Sequence, residues 1–411
     1  MSPADEPNGI LSLGDVFARI LLYNPTLAAY SQEIRAQEAL ALQSSLLPNP
    51  ELEATVEDFG GSGATRGFDT AETTIQINQL IQLAGKRNKQ SKLAGLDTEL
   101  VQWDYQSRRL DLFAEAAKAY VEVLAAQEQF NLAGELNTLA QEVKNTVQER
   151  VSAGKESPPE ALKAEVSLSA SRVELENVRR RLDISRTRLA GFWGSIHPDF
   201  LGLKGNIYDI RPHGSYEDFA ARIAQNPDLA RWTAEQNQRQ AALALEKART
   251  APDITVSAGT KYYSEPGDTA FIVGVAIPLP LFDRNQGNIS AARARLEKSR
   301  HLARESEMSA RTGLAQAYTS MLSAYDLAVN LRDTIIPAAR QSFAAAREGY
   351  QQGKFGYLDL LDAQRTLFQV RQQYLDILLL YHQSHTDIER LAGGTLDLDT
   401  TTIHEDKQEI E

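Results

Sequence analysis

The sequence predicts a mostly α-helical fold with four short β-strands, built as two tandem copies of one unit: an opening helix, a β-hairpin and a long helical hairpin. Internal similarity is the first reason. "LYNPTLAAYSQEIRAQEALALQSSLLPNPELEATVE" (22–57) lines up with "AQNPDLARWTAEQNQRQAALALEKARTAPDITVSAG" (224–259), placing Asn24-Pro25 on Asn226-Pro227 and Pro50-Glu51 on Pro252-Asp253. Further on, "INQLIQLAGKRN" (77–88) answers "AIPLPLFDRNQ" (276–286), and Arg188-Leu189-Ala190-Gly191 answers Arg390-Leu391-Ala392-Gly393. The second reason is period-two alternation in four segments, and the third is long proline-poor stretches with apolar residues at three-and-four spacing.

Each unit opens on a helix that restarts at Asn-Pro, where proline suits a first helical turn. That helix ends near Pro48 in the first copy and near Pro252 in the second. Strands are expected at about 50–59 and 72–81, then at about 253–262 and 270–279. Their connections, "GGSGATRGFD" and "YSEPGD", are rich in turn formers, and the shorter belongs to the second copy. Residues 88–152 hold no proline and only Gly95 and Gly134, which predicts a helix on the order of 100 Å long. Gly154 ends it as a C-terminal cap. Ser157-Pro158-Pro159-Glu160 then starts a returning helix (about 158–193), with serine at the cap and glutamate three residues on. An insert at about 194–215 separates the copies, so the repeats are 1–211 and 212–393. The second long hairpin is expected at about 286–352 and 357–392, with a kink or break at Pro337. Leu136, Leu139, Val143 and Val147 suit close, coiled-coil-like helix packing. Residues 394–411 read as a tail.

Composition removes several function classes. A formal net charge of -12 argues against nucleic acid and fits a cationic cargo or a basic partner surface. The absence of cysteine excludes disulfides, thiolate metal sites and a lipidated N-terminal cysteine in this chain. No run approaches the ~18 apolar residues of a membrane helix; the best is "LDILLLY" (375–381). "MSPADEPNGILSLGD" has no basic-then-apolar signal pattern, so export would require a signal already removed. There is no nucleophile elbow, dinucleotide fingerprint or HExxH pair, so neither an enzyme nor a cofactor is expected.

One face of the strands reads Leu52/Ala54/Val56, Ile75/Ile77, Ile254/Val256/Ala258 and Phe271/Val273/Val275. The other reads Glu51/Glu53/Thr55/Glu57, Thr74/Gln76/Asn78 and Thr255/Ser257. Segments of ten residues match the ~9–11 of a membrane-crossing strand. Four strands cannot close a barrel, and lipid tolerates no open sheet edge. Two readings stay open on pattern alone: a small soluble sheet, or strands pooled by several chains into one water-filled barrel.

"LLPNPELEATVEDFGG", "LIQLAGKRNK", "IPLPLFDRNQGNI" and "GYLDLLDAQ", in that order on a duplicated chain, resemble the TolC-type outer-membrane efflux channels. The resemblance covers about residues 10–393 and is greatest to the branch serving cobalt–zinc–cadmium or copper–silver resistance-nodulation-division pumps. It implies a homotrimer in outer-membrane lipid. Three chains would form a twelve-stranded β-barrel, continued by a twelve-helix α-barrel through the periplasm. The insert and the C-terminal segment would form an equatorial belt. The partners implied are a periplasmic adaptor protein and an inner-membrane pump, and the channel itself is a passive duct. Heavy-metal cations are the cargo implied by the branch. Drugs or other organic compounds are the alternative cargo, and a soluble coiled-coil structural protein is the alternative class.

The resemblance also assigns residues. Asp359 and Asp362 share a helix face, and three copies would gather six carboxylates into a cation-attracting ring at the periplasmic aperture. On the residues alone, acids at a helix start need no further explanation. Tyr350 falls where the family bonds a tyrosine to an acid of the first hairpin, here Glu160, to hold the aperture shut. A second family contact uses arginine two residues after the tip glycine, where this chain has Phe355. Gly154-Lys155 and Gly353-Lys354 lack the surroundings of a phosphate loop; they read as hairpin turns and, by resemblance, as the adaptor-docking tips. Pro278, Pro280 and Asp283 mark a strand-to-helix swivel, with Asp283 and Gln286 as a capping pair. His382, His385 and Glu389 could share a face of the last helix, but without a further ligand no metal site is expected.

Overall fold

The computed structural model describes residues 7–212 and 214–394; the expected tail beyond Gly394 lies outside them. In chain order the elements are β1 (Ile10–Leu11), α1 (Leu13–Tyr23), α2 (Pro25–Ser45), β2 (Glu51–Glu57), β3 (Glu72–Ile81) and α3 (Lys86–Ser152). Then come α4 (Pro158–Gly191), β4 (Gly202–Leu203), α5 (Tyr216–Arg222), α6 (Pro227–Ala248), β5 (Ile254–Tyr263) and β6 (Asp268–Ala276). The chain closes with α7 (Gln286–Asn330), α8 (Ile336–Gln351) and α9 (Tyr357–Leu391). Among the described residues no helix is long and apolar enough to cross a membrane.

The compact units are not the sequence repeats. One contains Gln106–Pro227 with the chain up to Ala29 and from Glu307 onward; the other contains Tyr30–Tyr105 and Asp228–Ser306. Each therefore joins matching parts of both copies. In the second unit the reason is strand pairing. The sheet order is β2-β3-β5-β6, all antiparallel, and the β3–β5 ladder stitches one repeat to the other.

In the first unit both copies use one device at the Asn-Pro helix start. The Asn24 side chain accepts the Thr26 and Leu27 amides (2.9 and 3.1 Å), capping α2. Its own amide donates to the carbonyl of Phe192, just past α4 (2.8 Å). The Asn226 amide donates in the same way to Arg390 and Leu391 at the end of α9 (3.1 and 3.0 Å). A single buried asparagine thus ties a helix start to the end of its repeat's returning helix. A core cluster of the same unit gathers Val121, Ala125 and Leu132 of α3 with Tyr374, Leu375 and Leu378 of α9, and Ile207 of the insert.

Pro337 does interrupt the second long helix. Residues Leu331–Ile335 form a π-helical turn between α7 and α8, with the proline in the first turn of α8. Proline offers no N–H and its ring crowds the carbonyl four residues back, and a locally widened helix accommodates both.

Candidate functional site

The strand register puts the predicted apolar set on one face of the sheet. Leu52 pairs with Ile77, Ala54 with Ile75, Ile77 with Ala258 and Ala258 with Val273. Cross-strand partners share a face, so this side is mostly apolar across all four strands, with Thr260 between Ile75 and Phe271 and Gln79 opposite Val256. It is also bare: Phe271 is 88% exposed, Val273 78% and Leu52 74%. The opposite face carries Glu51, Glu53 and Glu57 beside Asn78, Gln76 and Glu72. There Glu53 accepts from both Gln76 and Asn78 at 2.8 Å, and Lys261 pairs with Glu72 and with Glu57 (3.6 Å). β2 and β6 are the edges of the sheet. Phe59 stacks on Phe68 (5.2 Å between ring centres) in the connection between β2 and β3, and Phe282 lies exposed in the join that follows β6. Sequence reading gave these three phenylalanines no role: Phe68 and Phe282 lie outside the alternating segments, and Phe59 is the last residue of the first one.

The two strand-to-helix joins differ in length as well as in proline content. Residues 82–85 link β3 to α3, and residues 277–285 link β6 to α7. Pro278 and Pro280 lie beyond the last ladder pair, on exposed chain. Asp283 and Gln286 do not form a box across the helix start. Asp283 accepts the Asn285 amide and Gln286 accepts the Arg284 amide (both 2.8 Å), because Asn285 turns the chain at φ 59° just before α7. Gly85, at φ 66°, holds the matching place just before α3 in the first copy. Polar anchors fix both joins. Asn285 donates to the Glu246 carbonyl and carboxylate (both 2.8 Å), and Asp253 accepts the Leu83 amide (3.0 Å) and the Lys86 ammonium (2.7 Å).

The two hairpin tips are one turn used twice. Gly154 and Gly353 sit at φ 70° and 74°, in the left-handed region that glycine enters without strain. Lys155 N–H returns to the Arg150 carbonyl and Lys354 N–H to that of Gly349, each at 2.8 Å. Both lysine side chains are exposed. Ser157 takes the cap position of α4 without a side-chain bond, because Pro158 and Pro159 offer no N–H and the Glu160 amide goes to the Ser157 carbonyl (3.1 Å). Glu160 instead bonds Lys163 (2.9 Å). The expected Tyr350–Glu160 bond is not made. The Tyr350 hydroxyl and one Glu160 carboxylate oxygen are both buried without a hydrogen-bond partner among the described residues. Burial, with Glu156 and Glu160 nearby, pushes the Tyr350 hydroxyl up to about 12. Its ring packs with Val143 and Val147 of α3, Ala164 of α4 and Tyr357 and Leu360 of α9. Phe355 folds back over Gly349 of its own hairpin.

Asp359 and Asp362 are exposed, opposite the buried Leu360–Gln364–Leu367 stripe of α9. Asp359 accepts the Gly356 amide (2.9 Å), so it also caps the helix. His382, His385 and Glu389 are not joined at one centre. His382 bonds the Ile207 carbonyl (2.9 Å), while Glu389 pairs with Arg222 (2.9 Å). Sequence reading missed Arg150, which reaches from the first hairpin to the second; no local pattern marks such a contact.

The profile of the outer membrane efflux protein family matches this chain twice, over residues 16–195 and 221–394. The cobalt-zinc-cadmium resistance protein CzcC of Cupriavidus metallidurans is 35% identical over 388 residues, covering 94% of this chain and 91% of that protein. The nickel-cobalt-cadmium resistance protein NccC of Alcaligenes xylosoxydans xylosoxydans is 26% identical, over 70% of this chain and 66% of that one. Among solved structures, CusC superposes with a TM-score of 0.79 at 19% identity, covering 93% of this chain and 92% of that one, which shows the fold. The two matched segments, the two-faced sheet and the paired helical hairpins lead to one conclusion: the chain belongs to the outer membrane efflux protein family.

Proposed function

We propose that this chain is the outer-membrane channel of a tripartite efflux system, a passive trimeric duct that carries heavy-metal cations to the cell exterior. The observation that carries the reading is the sheet: one bare apolar face, one polar face and two edge strands. In lipid, β2 and β6 need partners, and copies of the chain supply them by pairing the β6 edge of one with the β2 edge of the next. Three copies close a twelve-stranded barrel whose polar face lines a water-filled lumen. The helices continue as a tube to which an adaptor and an inner-membrane pump connect. Nothing in this role calls for catalysis. The metal assignment is supported by the resistance functions in the names of both curated relatives.

In the same reading Asp359 and Asp362 form the aperture ring, with Tyr350, Glu160 and Phe355 packed behind it. Gly154, Lys155, Gly353 and Lys354 meet the adaptor. The test is purification in detergent, followed by mass measurement, planar-bilayer recording and complementation of a deletion strain challenged with zinc, cobalt and cadmium or with dyes and drugs. A trimer that conducts ions and restores metal resistance is expected. A monomer that stays soluble without detergent overturns the reading, and rescue against dyes alone overturns the cargo.

A further inference from the structure

We infer that Arg150 is the residue that holds the second hairpin tip against the first, and so keeps the aperture narrow; the inference rests on the channel reading above. Where the resemblance expects a tip arginine, on the second hairpin, this chain has Phe355, and that ring is spent on Gly349 of its own hairpin. The guanidinium at the tips comes instead from α3, on the first hairpin.

Arg150 makes three kinds of contact. Its Nη1 donates to the Tyr350 and Gln351 carbonyls at the end of α8 (3.0 and 3.4 Å). The last carbonyls of a helix lack intrahelical donors and carry the negative end of its dipole, so a cation there is doubly favoured. The same guanidinium lies 4.8 Å from the centre of the Tyr350 ring, a cation–π distance. Its Nε faces the Glu156 carboxylate (3.4 Å) in the tip loop of its own hairpin, and both side chains are largely buried. Arg150 is thus braced on one hairpin and grips the other.

Among the described residues the Tyr350 hydroxyl has no hydrogen-bond partner, so Tyr350 is held through its carbonyl and its ring face rather than through its O–H. That separates the inference from a tyrosine–acid lock. Removing the hydroxyl should matter little, and removing the guanidinium should matter greatly. Lysine at 150 retains a charge but neither the planar fork nor the stacking surface, and should fall between.

The chain contains no cysteine, so Lys155→Cys and Lys354→Cys give one clean spin label on each tip. Labelled chains diluted with unlabelled ones report the distance within a protomer by pulsed electron resonance, and planar bilayers report single-channel conductance. Arg150→Ala should lengthen and broaden the tip-to-tip distance and raise conductance several-fold. Arg150→Lys and Glu156→Gln should do so partly, and Tyr350→Phe should resemble the parent. Parent-like distance and conductance in Arg150→Ala overturn the inference, as does Tyr350→Phe loosening the tips equally. If Arg150→Ala does not fold, parent-like distances in both Arg150→Lys and Glu156→Gln overturn it. A parent chain that passes no ions defeats the channel reading instead, and the distances still decide the role of Arg150.

Discussion

Asp253 accepts the ammonium of Lys86 at 2.7 Å and the Leu83 amide at 3.0 Å, closing the first strand-to-helix join with a residue from the other repeat. The lysine side chain is 10% exposed. Breaking such a pair from one side leaves a charge buried alone, at about 3–5 kcal/mol. Asp253→Ala should therefore lower the thermal stability of the detergent-solubilised protein, and Lys86→Met should lower it less. Circular dichroism melts of both variants provide the comparison.

The two sheet faces should respond oppositely to charge. Val273→Lys puts an ammonium on the bare apolar face, where lipid would penalise it by about 2–4 kcal/mol near the bilayer midplane. Gln76→Lys puts the same group beside Glu53 on the polar face and should be tolerated. Yield of heat-modifiable, membrane-inserted protein measures the difference. Equal yields would favour a soluble sheet.

Asp359→Asn with Asp362→Asn should weaken block of single-channel current by a trivalent cation. Asparagine at 359 can still accept the Gly356 amide through its side-chain oxygen, so the helix start survives and the change reads charge alone. Block unchanged from the parent would remove the ring from the proposal.

Gly349→Ala should destabilise the second tip by about 1–3 kcal/mol, since the added methyl overlaps the Phe355 ring. Adding Phe355→Ala should recover most of the loss. A pair of additive losses would show that the two residues act independently.

His382 and His385 are both held below the ordinary histidine value, mainly by burial, with the Ile207 carbonyl partly opposing this at His382 and Glu389 at His385. The unfolded chain then binds more protons than the folded one once pH falls through the unfolded value near ~6.5. Their contribution is fully present above that value and is lost progressively as pH drops toward the folded values. Hydrogen exchange should show the Ile207–Arg211 segment, tied to α9 through His382 and Tyr381, losing protection as pH falls below the ordinary histidine value of ~6.5. His382→Gln should flatten that dependence.

Sequence by itself determined the duplicated order of elements, the two-faced strands and the interruption at Pro337. Each follows from local chemistry: periodicity, the missing proline amide and glycine's access to positive φ at the tips. Tertiary structure alone decided which groups meet across some 200 residues. The Tyr350 ring is gripped by Arg150 while its hydroxyl finds no hydrogen-bond partner among the described residues, and Glu160 turns to Lys163. It also decided that the compact units cut across the repeats, because the β3–β5 ladder joins strands from different copies. Periodicity specifies which face of an element is apolar, whereas the partner of a single polar group depends on which helices are brought together and at what depth.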